Sequence, residues 1–193
     1  MKKSEIRIQA SRQRKALSKS TVHEWSVQLL EQFKTLDFSD VKSIHLFIPI
    51  EGKNEPDTFL IIAWLNVNHP HIKIIVPRAD FDTALMTHHV FTGKEDLQKN
   101  LFNILEPQST PIYSGDIDMV LIPMLAFDLR GYRVGYGKGF YDRFLQGITT
   151  RKIGLNFFGA QDQIDDIDEY DVPLDQCITP QKIYTFSSSI TGQ

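Results

Sequence analysis

Four glycines fall at positions 131, 135, 137 and 139, shortly after the apolar run Met119-Val120-Leu121-Ile122. The run reads as a short buried strand. Tyr141-Asp142-Arg143-Phe144-Leu145 then reads as the first turns of a helix. Strand, glycine-rich loop and helix is the layout of a backbone phosphate cradle. Glycines let main-chain N–H groups approach an anion, and a helix N-terminus adds partial positive charge. Arg133 and Lys138 are interleaved with the glycines, and Asp142 stands where a carboxylate could hold a metal ion against a phosphate. Two familiar motifs do not fit. A P-loop needs Gly-Lys-Ser/Thr, but Gly139 follows Lys138; a dinucleotide fingerprint needs a glycine three after Gly137, where Phe140 stands. The plain alternative is a surface loop whose glycines only make turns. Two cations and a carboxylate in the same dozen residues weigh against it.

Composition narrows the class. A chain of 193 residues with 41% hydrophobic and 23% charged residues suits one globular domain with a substantial core. A net charge of −3 gives no general attraction to nucleic acid or anionic membrane. No apolar run approaches the ~20 residues that span a bilayer. The charged N-terminus lacks the apolar segment of a secretory signal, so a cytoplasmic protein is expected. Cys177 is the single cysteine, which excludes an internal disulfide and a cysteine-based zinc site, and reads as a small buried hydrophobe.

Along the chain, residues 2–15 carry six cations against Glu5. As a helix they place Lys3 and Arg7 on one face, four apart. The plain reading is a solvated basic helix; a nucleic-acid arm is the alternative, without aromatic interleaving to support it. Thr21 and Glu24 suggest a capping box, and Val22, Trp25, Leu29, Phe33 and Leu36 mark the core face of a second helix. Ser43 to Pro49 reads as the first strand and Thr58 to Leu65 as a helix capped by Asp57. Ile72 to Pro77 reads as a second strand with Arg78 emerging at its end, and Leu85 to Val90 as a third. His69, His71, His88 and His89 invite a metal reading, but adjacent or alternating histidines here give poor ligand geometry. Asn103 to Pro111 reads as a loop. Lys152 to Phe157, Cys177 to Thr179 and Lys182 to Phe186 read as further strands, and 187–193 as a frayed tail. Between Ile153 and Gln181 there are seven acids and no Lys or Arg, most simply a solvated face. Alternating strands and helices predict an α/β fold.

Asp128-Leu129-Arg130-Gly131-Tyr132-Arg133-Val134-Gly135-Tyr136-Gly137-Lys138-Gly139-Phe140-Tyr141-Asp142 resembles the hallmark of the 5-formyltetrahydrofolate cyclo-ligase family, Phe-Asp-x-x-Gly-x-Arg-Leu-Gly-x-Gly-x-Gly-Tyr-Tyr-Asp. Val134 and Phe140 are mild departures. Lys3-Ser4-Glu5-Ile6-Arg7, Glu55-Pro56-Asp57-Thr58, Phe102-Asn103-Ile104-Leu105-Glu106-Pro107 and Asp171-Val172-Pro173-Leu174-Asp175 match further family segments in order. The resemblance implies a single-domain three-layer fold with a central, mainly parallel sheet.

It also implies an activity: ATP-dependent cyclisation of 5-formyltetrahydrofolate, with or without a polyglutamate tail, to 5,10-methenyltetrahydrofolate with release of ADP and phosphate. Lys3, Arg7, Arg133, Gly135, Gly137, Lys138, Gly139 and Tyr141 are then expected at ATP, with Arg133 and Lys138 catalytic. Ile48, Glu55, Tyr136 and Phe140 are expected at the folate, and Asp142 and Asp171 at Mg²⁺. A monomer without nucleic-acid or membrane partners is expected. Two alternatives stand beside this: a related ATP-dependent enzyme acting on another small amide, and a non-catalytic nucleotide- or RNA-binding domain.

Overall fold

The structure, a computed structural model, describes residues 1–186; the expected frayed tail, 187–193, lies outside the described residues. The chain opens with α1 (Lys3–Lys15) and α2 (Lys19–Phe33), then β1 (Ser43–Leu46), α3 (Thr58–Asn68), β2 (Lys73–Asp80) and β3 (Leu85–Val90). A small hairpin, β4 (Leu97–Lys99) and β5 (Leu105–Pro107), precedes β6 (Met119–Pro123). A second hairpin, β7 (Ala126–Phe127) and β8 (Arg133–Val134), leads to α4 (Phe140–Leu145). The chain then runs through β9 (Arg151–Leu155), β10 (Gln176–Ile178) and β11 (Ile183–Thr185).

Seven strands form the central sheet in the order β11-β10-β9-β6-β1-β2-β3. β10, β9, β6, β1 and β2 are parallel, and the edge strands β3 and β11 are antiparallel to their neighbours. From the β1/β6 boundary the chain winds outward both ways, through α3 to β2 and through α4 to β9. Right-handed crossovers in opposite directions must place their helices on opposite faces. The core shows this layering. Met119 and Leu121 of β6 face Leu29 and Phe33 of α2 and Ile61 and Leu65 of α3. Val120 and Ile122, the alternate residues of the same strand, face Leu145 of α4, Cys177 and Leu174.

The α/β class is as the alternation of strands and helices indicates and the mainly parallel sheet as the family resemblance implies, and several boundaries differ for local reasons. β1 ends at Leu46 rather than Pro49, because the Thr58 hydroxyl takes the Phe47 carbonyl at 2.6 Å and turns the chain into α3. Asp57 caps α3 as expected, accepting from Phe59 N at 3.0 Å. The cap of α2 is Ser18, which accepts from Thr21 N at 3.0 Å, so the expected capping box at Thr21 is one turn late. β2 runs on to Asp80, which leaves Arg78 mid-strand and exposed rather than at a strand end. The expected loop after Asn103 contains β5.

Candidate functional site

A cavity of about 860 Å³ opens where the parallel strands end, lined by Phe47 and Ile48 after β1, Ala79 and Phe81 at the end of β2, and Pro123 closing β6. The β1/β6 divergence of the winding makes this the crevice in which α/β sheets bind ligands. Its size is that of a small-molecule site.

Cations and carboxylates meet on one part of the wall. Lys3 and Arg7 lie on the same face of α1 as buried Ile6 and Ala10, which pack on Leu125, Ala126 and Val134 about the β7–β8 hairpin. Lys3 Nζ lies 2.5 Å from Asp171 Oδ2, and Lys3 N donates to Asp166 at 2.6 Å. The acidic run expected as a solvated face thus anchors the start of α1, with a carboxylate at the helix N-terminus. Arg7 Nε donates to Gly135 O at 2.9 Å, which ties the same helix to the glycine loop. Arg133 is buried at 8% exposure; its Nη2 lies 2.7 Å from Asp142 Oδ1 and its Nη1 donates to Val172 O. Burial pulls the Arg133 pKa down, and Asp142 and Asp171 oppose that pull.

The glycines serve the close approach of helix and loop. Gly137 has φ +92°, and a Cβ there would meet the Arg7 guanidinium carbon at 3.3 Å. Gly139 enters α4 in the left-handed region at φ +70°. At six residues α4 is short, so its end contributes little charge and the loop amides and cations must do most of the anion binding. Lys138 is exposed at the cavity and forms no ion pair among the described residues; its carbonyl accepts from Arg143 at 2.7 Å.

Glu55 lies buried on another part of the wall, at 5% exposure. Its Oε2 accepts from Ile50 N at 2.6 Å, and its Oε1 accepts from the Tyr136 hydroxyl at 2.6 Å. Burial raises the Glu55 pKa, against the pull of those hydrogen bonds and of Arg14 and Lys53. The Tyr141 hydroxyl is also buried and has no hydrogen-bond partner among the described residues. Burial and the nearby Glu55 charge raise its pKa.

Every ATP, folate and Mg²⁺ candidate from the sequence lines this one cavity: Lys3, Arg7, Ile48, Glu55, Arg133, Gly135, Tyr136, Gly137, Lys138, Gly139, Phe140, Tyr141, Asp142 and Asp171. Arg78 does not; Pro77 and Ala79 on either side of it do. Sequence reasoning missed the apolar wall of Phe81, Met86, Ile104 and Leu105, where Phe81 packs between Phe102 at 4.2 Å and Phe140 at 5.3 Å. It also missed the surroundings of Glu106, whose Oε1 holds Ala79 N at 3.0 Å. The Glu-Pro pair was visible, but only the β4–β5 hairpin brings it under β2. The histidines pack separately: His88 stacks on Phe144 at 4.1 Å, while His89 Nδ1 pairs with Thr110 O at 2.8 Å.

Comparison with known proteins follows the same lines. The sequence model of the 5-formyltetrahydrofolate cyclo-ligase family matches residues 1–180. The chain is 33% identical over 189 residues to the 5-formyltetrahydrofolate cyclo-ligase of Mycoplasma pneumoniae, covering 94% of this chain and 100% of the relative. The NMR structure of 5,10-methenyltetrahydrofolate synthetase from Aquifex aeolicus superposes with TM-score 0.78 at 26% identity, covering 100% of this chain and 97% of that one. The 5,10-methenyltetrahydrofolate synthetase structure from Mycoplasma pneumoniae gives TM-score 0.71 at 28% identity, over 92% and 98% of the two chains.

Proposed function

This chain belongs to the 5-formyltetrahydrofolate cyclo-ligase family, and from that premise we propose how its cavity divides the work between ATP and the folate. The reaction is the family's ATP-dependent cyclisation of 5-formyltetrahydrofolate to 5,10-methenyltetrahydrofolate. Its difficulty is that a formyl oxygen leaves poorly. In the proposed route the γ-phosphoryl group passes to the formyl oxygen and ADP departs. N10 then attacks the formyl carbon and releases its proton to water, and the carbon–oxygen bond breaks with phosphate as the leaving group. Positioning and charge neutralisation supply most of such a rate enhancement.

The observation that carries the assignment is the convergence of Lys3, Arg7, Arg133 and Lys138 with Asp142 and Asp171 on the wall of one cavity. The four cations and the glycine-loop amides hold the polyphosphate, with Arg133 and Lys138 at the transferring group. Arg7 offers Nη1 and Nη2, and Lys138 its whole ammonium, since no hydrogen bond among the described residues engages them. Glu55 accepts hydrogen bonds from the pterin's donor groups. Ile48, Tyr136 and Phe140, with Phe81, enclose its apolar surface. The Tyr141 hydroxyl supplies a hydrogen bond that the protein itself leaves unmade.

Asp142 and Asp171 suit Mg²⁺, which takes one or two carboxylates and completes its shell with phosphate oxygens and water. Asp142 Oδ1 and Asp171 Oδ2 are engaged by Arg133 and Lys3, which leaves Asp142 Oδ2 and Asp171 Oδ1 for the ion. When bound, the ion neutralises phosphate charge. Asp142→Asn keeps an acceptor for Arg133 and removes the charge, so it should raise the Mg²⁺ concentration giving half-maximal rate about tenfold. An unaltered magnesium titration would reduce Asp142 to the partner of Arg133.

The reading includes a cytoplasmic monomer, with residues 1–193 acting as one domain; light scattering at 22.2 kDa checks the monomer. The reaction is tested optically. Protein, 5-formyltetrahydrofolate, ATP and Mg²⁺ together should produce the near-ultraviolet band of methenyltetrahydrofolate, and omission of any one should abolish it. A band that forms without ATP or without Mg²⁺ would sink the corresponding assignment.

A further inference from the structure

Arg14 is the one cation of α1 that the fold buries, at 2% exposure, although the sequence pattern places it on a solvated basic helix. Its guanidinium is committed at three points. Nη2 donates to Met124 O at 2.5 Å and to Asn156 Oδ1 at 3.1 Å, and Nη1 donates to the Tyr136 hydroxyl at 3.2 Å. The same hydroxyl donates onward to Glu55 Oε1 at 2.6 Å. Asn54, next to Glu55 in sequence, donates back to the Arg14 and Leu17 carbonyls at 3.0 and 3.1 Å. A buried carboxylate needs a counter-charge. Among the described residues Glu55 touches no cation directly and reaches Arg14 only through the phenol.

We propose that Arg14 is a positioning residue for folate recognition, acting through the Tyr136 hydroxyl to orient Glu55 and keep its carboxylate charged. The proposal rests on the reading of Glu55 as the folate's acceptor. Arg14 fixes the direction of the Tyr136 O–H, because a hydroxyl that accepts from a guanidinium turns its own proton toward the carboxylate. Glu55 Oε1 then faces the cavity in one orientation instead of several. The groups facing Glu55 are Tyr136 from the glycine loop, Arg14 from α1, Lys53 from its own loop and Tyr141 from α4. The Ile50 and Tyr136 hydrogen bonds compensate the buried carboxylate most; of the two cations Lys53 is exposed and its charge is screened by water, so the buried guanidinium is the stronger counter-charge. Lys3, Arg7 and Arg14 share one helix, so the element that meets the phosphates also sets the folate's acceptor.

The test is steady-state kinetics of Arg14→Met, Tyr136→Phe, the double variant and Glu55→Gln in the full chain, varying each substrate in turn. Loss of a hydrogen bond supporting a charged group predicts a folate KM raised about 10-fold or more in Arg14→Met and Tyr136→Phe. The ATP KM should stay within about threefold, since neither side chain is assigned to phosphate. Groups acting in series predict a double variant close to the worse single one. Removing the counter-charge raises the Glu55 pKa, so the acid limb of kcat/KM for the folate should move to higher pH. A purely structural role would instead raise both KM values together and leave the acid limb in place, and that result overturns the proposal. So does an unchanged folate KM in both single variants. If Arg14→Met does not fold, Arg14→Lys, a point charge without the fork, serves for the folate and ATP KM criteria, and the acid limb is read in Tyr136→Phe, which removes the hydrogen bond to Glu55. Glu55→Gln separates the two levels. A raised folate KM there with wild-type behaviour in the other variants defeats the relay alone. An unchanged folate KM there defeats the reading of Glu55, and the relay with it.

Discussion

Arg133→Ala is expected to lose both turnover and stability, with kcat down about 10²-fold or more and unfolding free energy down by about 3–5 kcal/mol. The two losses have different causes. On the proposed assignment of Arg133 to the transferring phosphoryl group, turnover falls because a positive charge beside that group is gone. Stability falls because Asp142 and Val172 O lose their shared donor in a region where Arg133 is 8% exposed. Asp142, whose side chain is 30% exposed, recovers part of the loss by hydration, so the lower end of the range is expected. Denaturant unfolding alongside kinetics at saturating substrate checks both. Full stability in Arg133→Ala would show that the Asp142 pair is not a structural clamp, and full turnover would remove Arg133 from the phosphate.

Lys138→Ala should lose as much rate, about 10²–10³-fold, with stability within about 0.5 kcal/mol of wild type. In the sequence the two cations look alike, one on each side of a glycine pair. In the fold they differ: Lys138 is exposed at the cavity and forms no ion pair among the described residues, so its removal breaks no salt bridge there. A stability loss in Lys138→Ala comparable to that in Arg133→Ala would contradict this distinction. Unchanged turnover would take Lys138 out of catalysis.

Much of the site was legible because its residues are local in sequence. The stretch Asp128 to Asp142 carries the glycines together with Arg133, Lys138 and Asp142, and no long-range folding is needed to see them together. The sheet was legible from apolar runs such as Met119–Ile122, whose alternate members serve both faces. What stayed hidden depends on distant partners. Nothing around Arg14 in sequence separates it from Arg12, which is exposed; only the fold brings Met124, Asn156 and Tyr136 to its guanidinium. The short β4–β5 hairpin lacks a clear hydrophobic period, and its Phe102 and Ile104 gain meaning only beside Phe81. Arg78 misled for a related reason: the antiparallel edge strand β3 lengthens β2 past the point where parallel pairing with β1 stops.

The manner in which α1 is attached has a consequence for the order in which the protein comes apart. Among the described residues the helix contributes no rung to any strand ladder. It is held by the side chains of Ile6 and Ala10, the Arg14 fork, and carboxylates at its first turn. Such a segment opens at a lower free energy than the sheet beneath it. With Lys3 and Arg7 at the phosphates as proposed, the enzyme falls silent when α1 opens while its amide protons in β1, β6 and β9 remain protected from exchange. On the proposed assignment of Lys3, Arg7 and the glycine loop to ATP, the bound nucleotide would raise the protection of the helix toward that of the core. Catalytic competence and global stability are then two separate quantities in this chain, and its N-terminal helix is where they part.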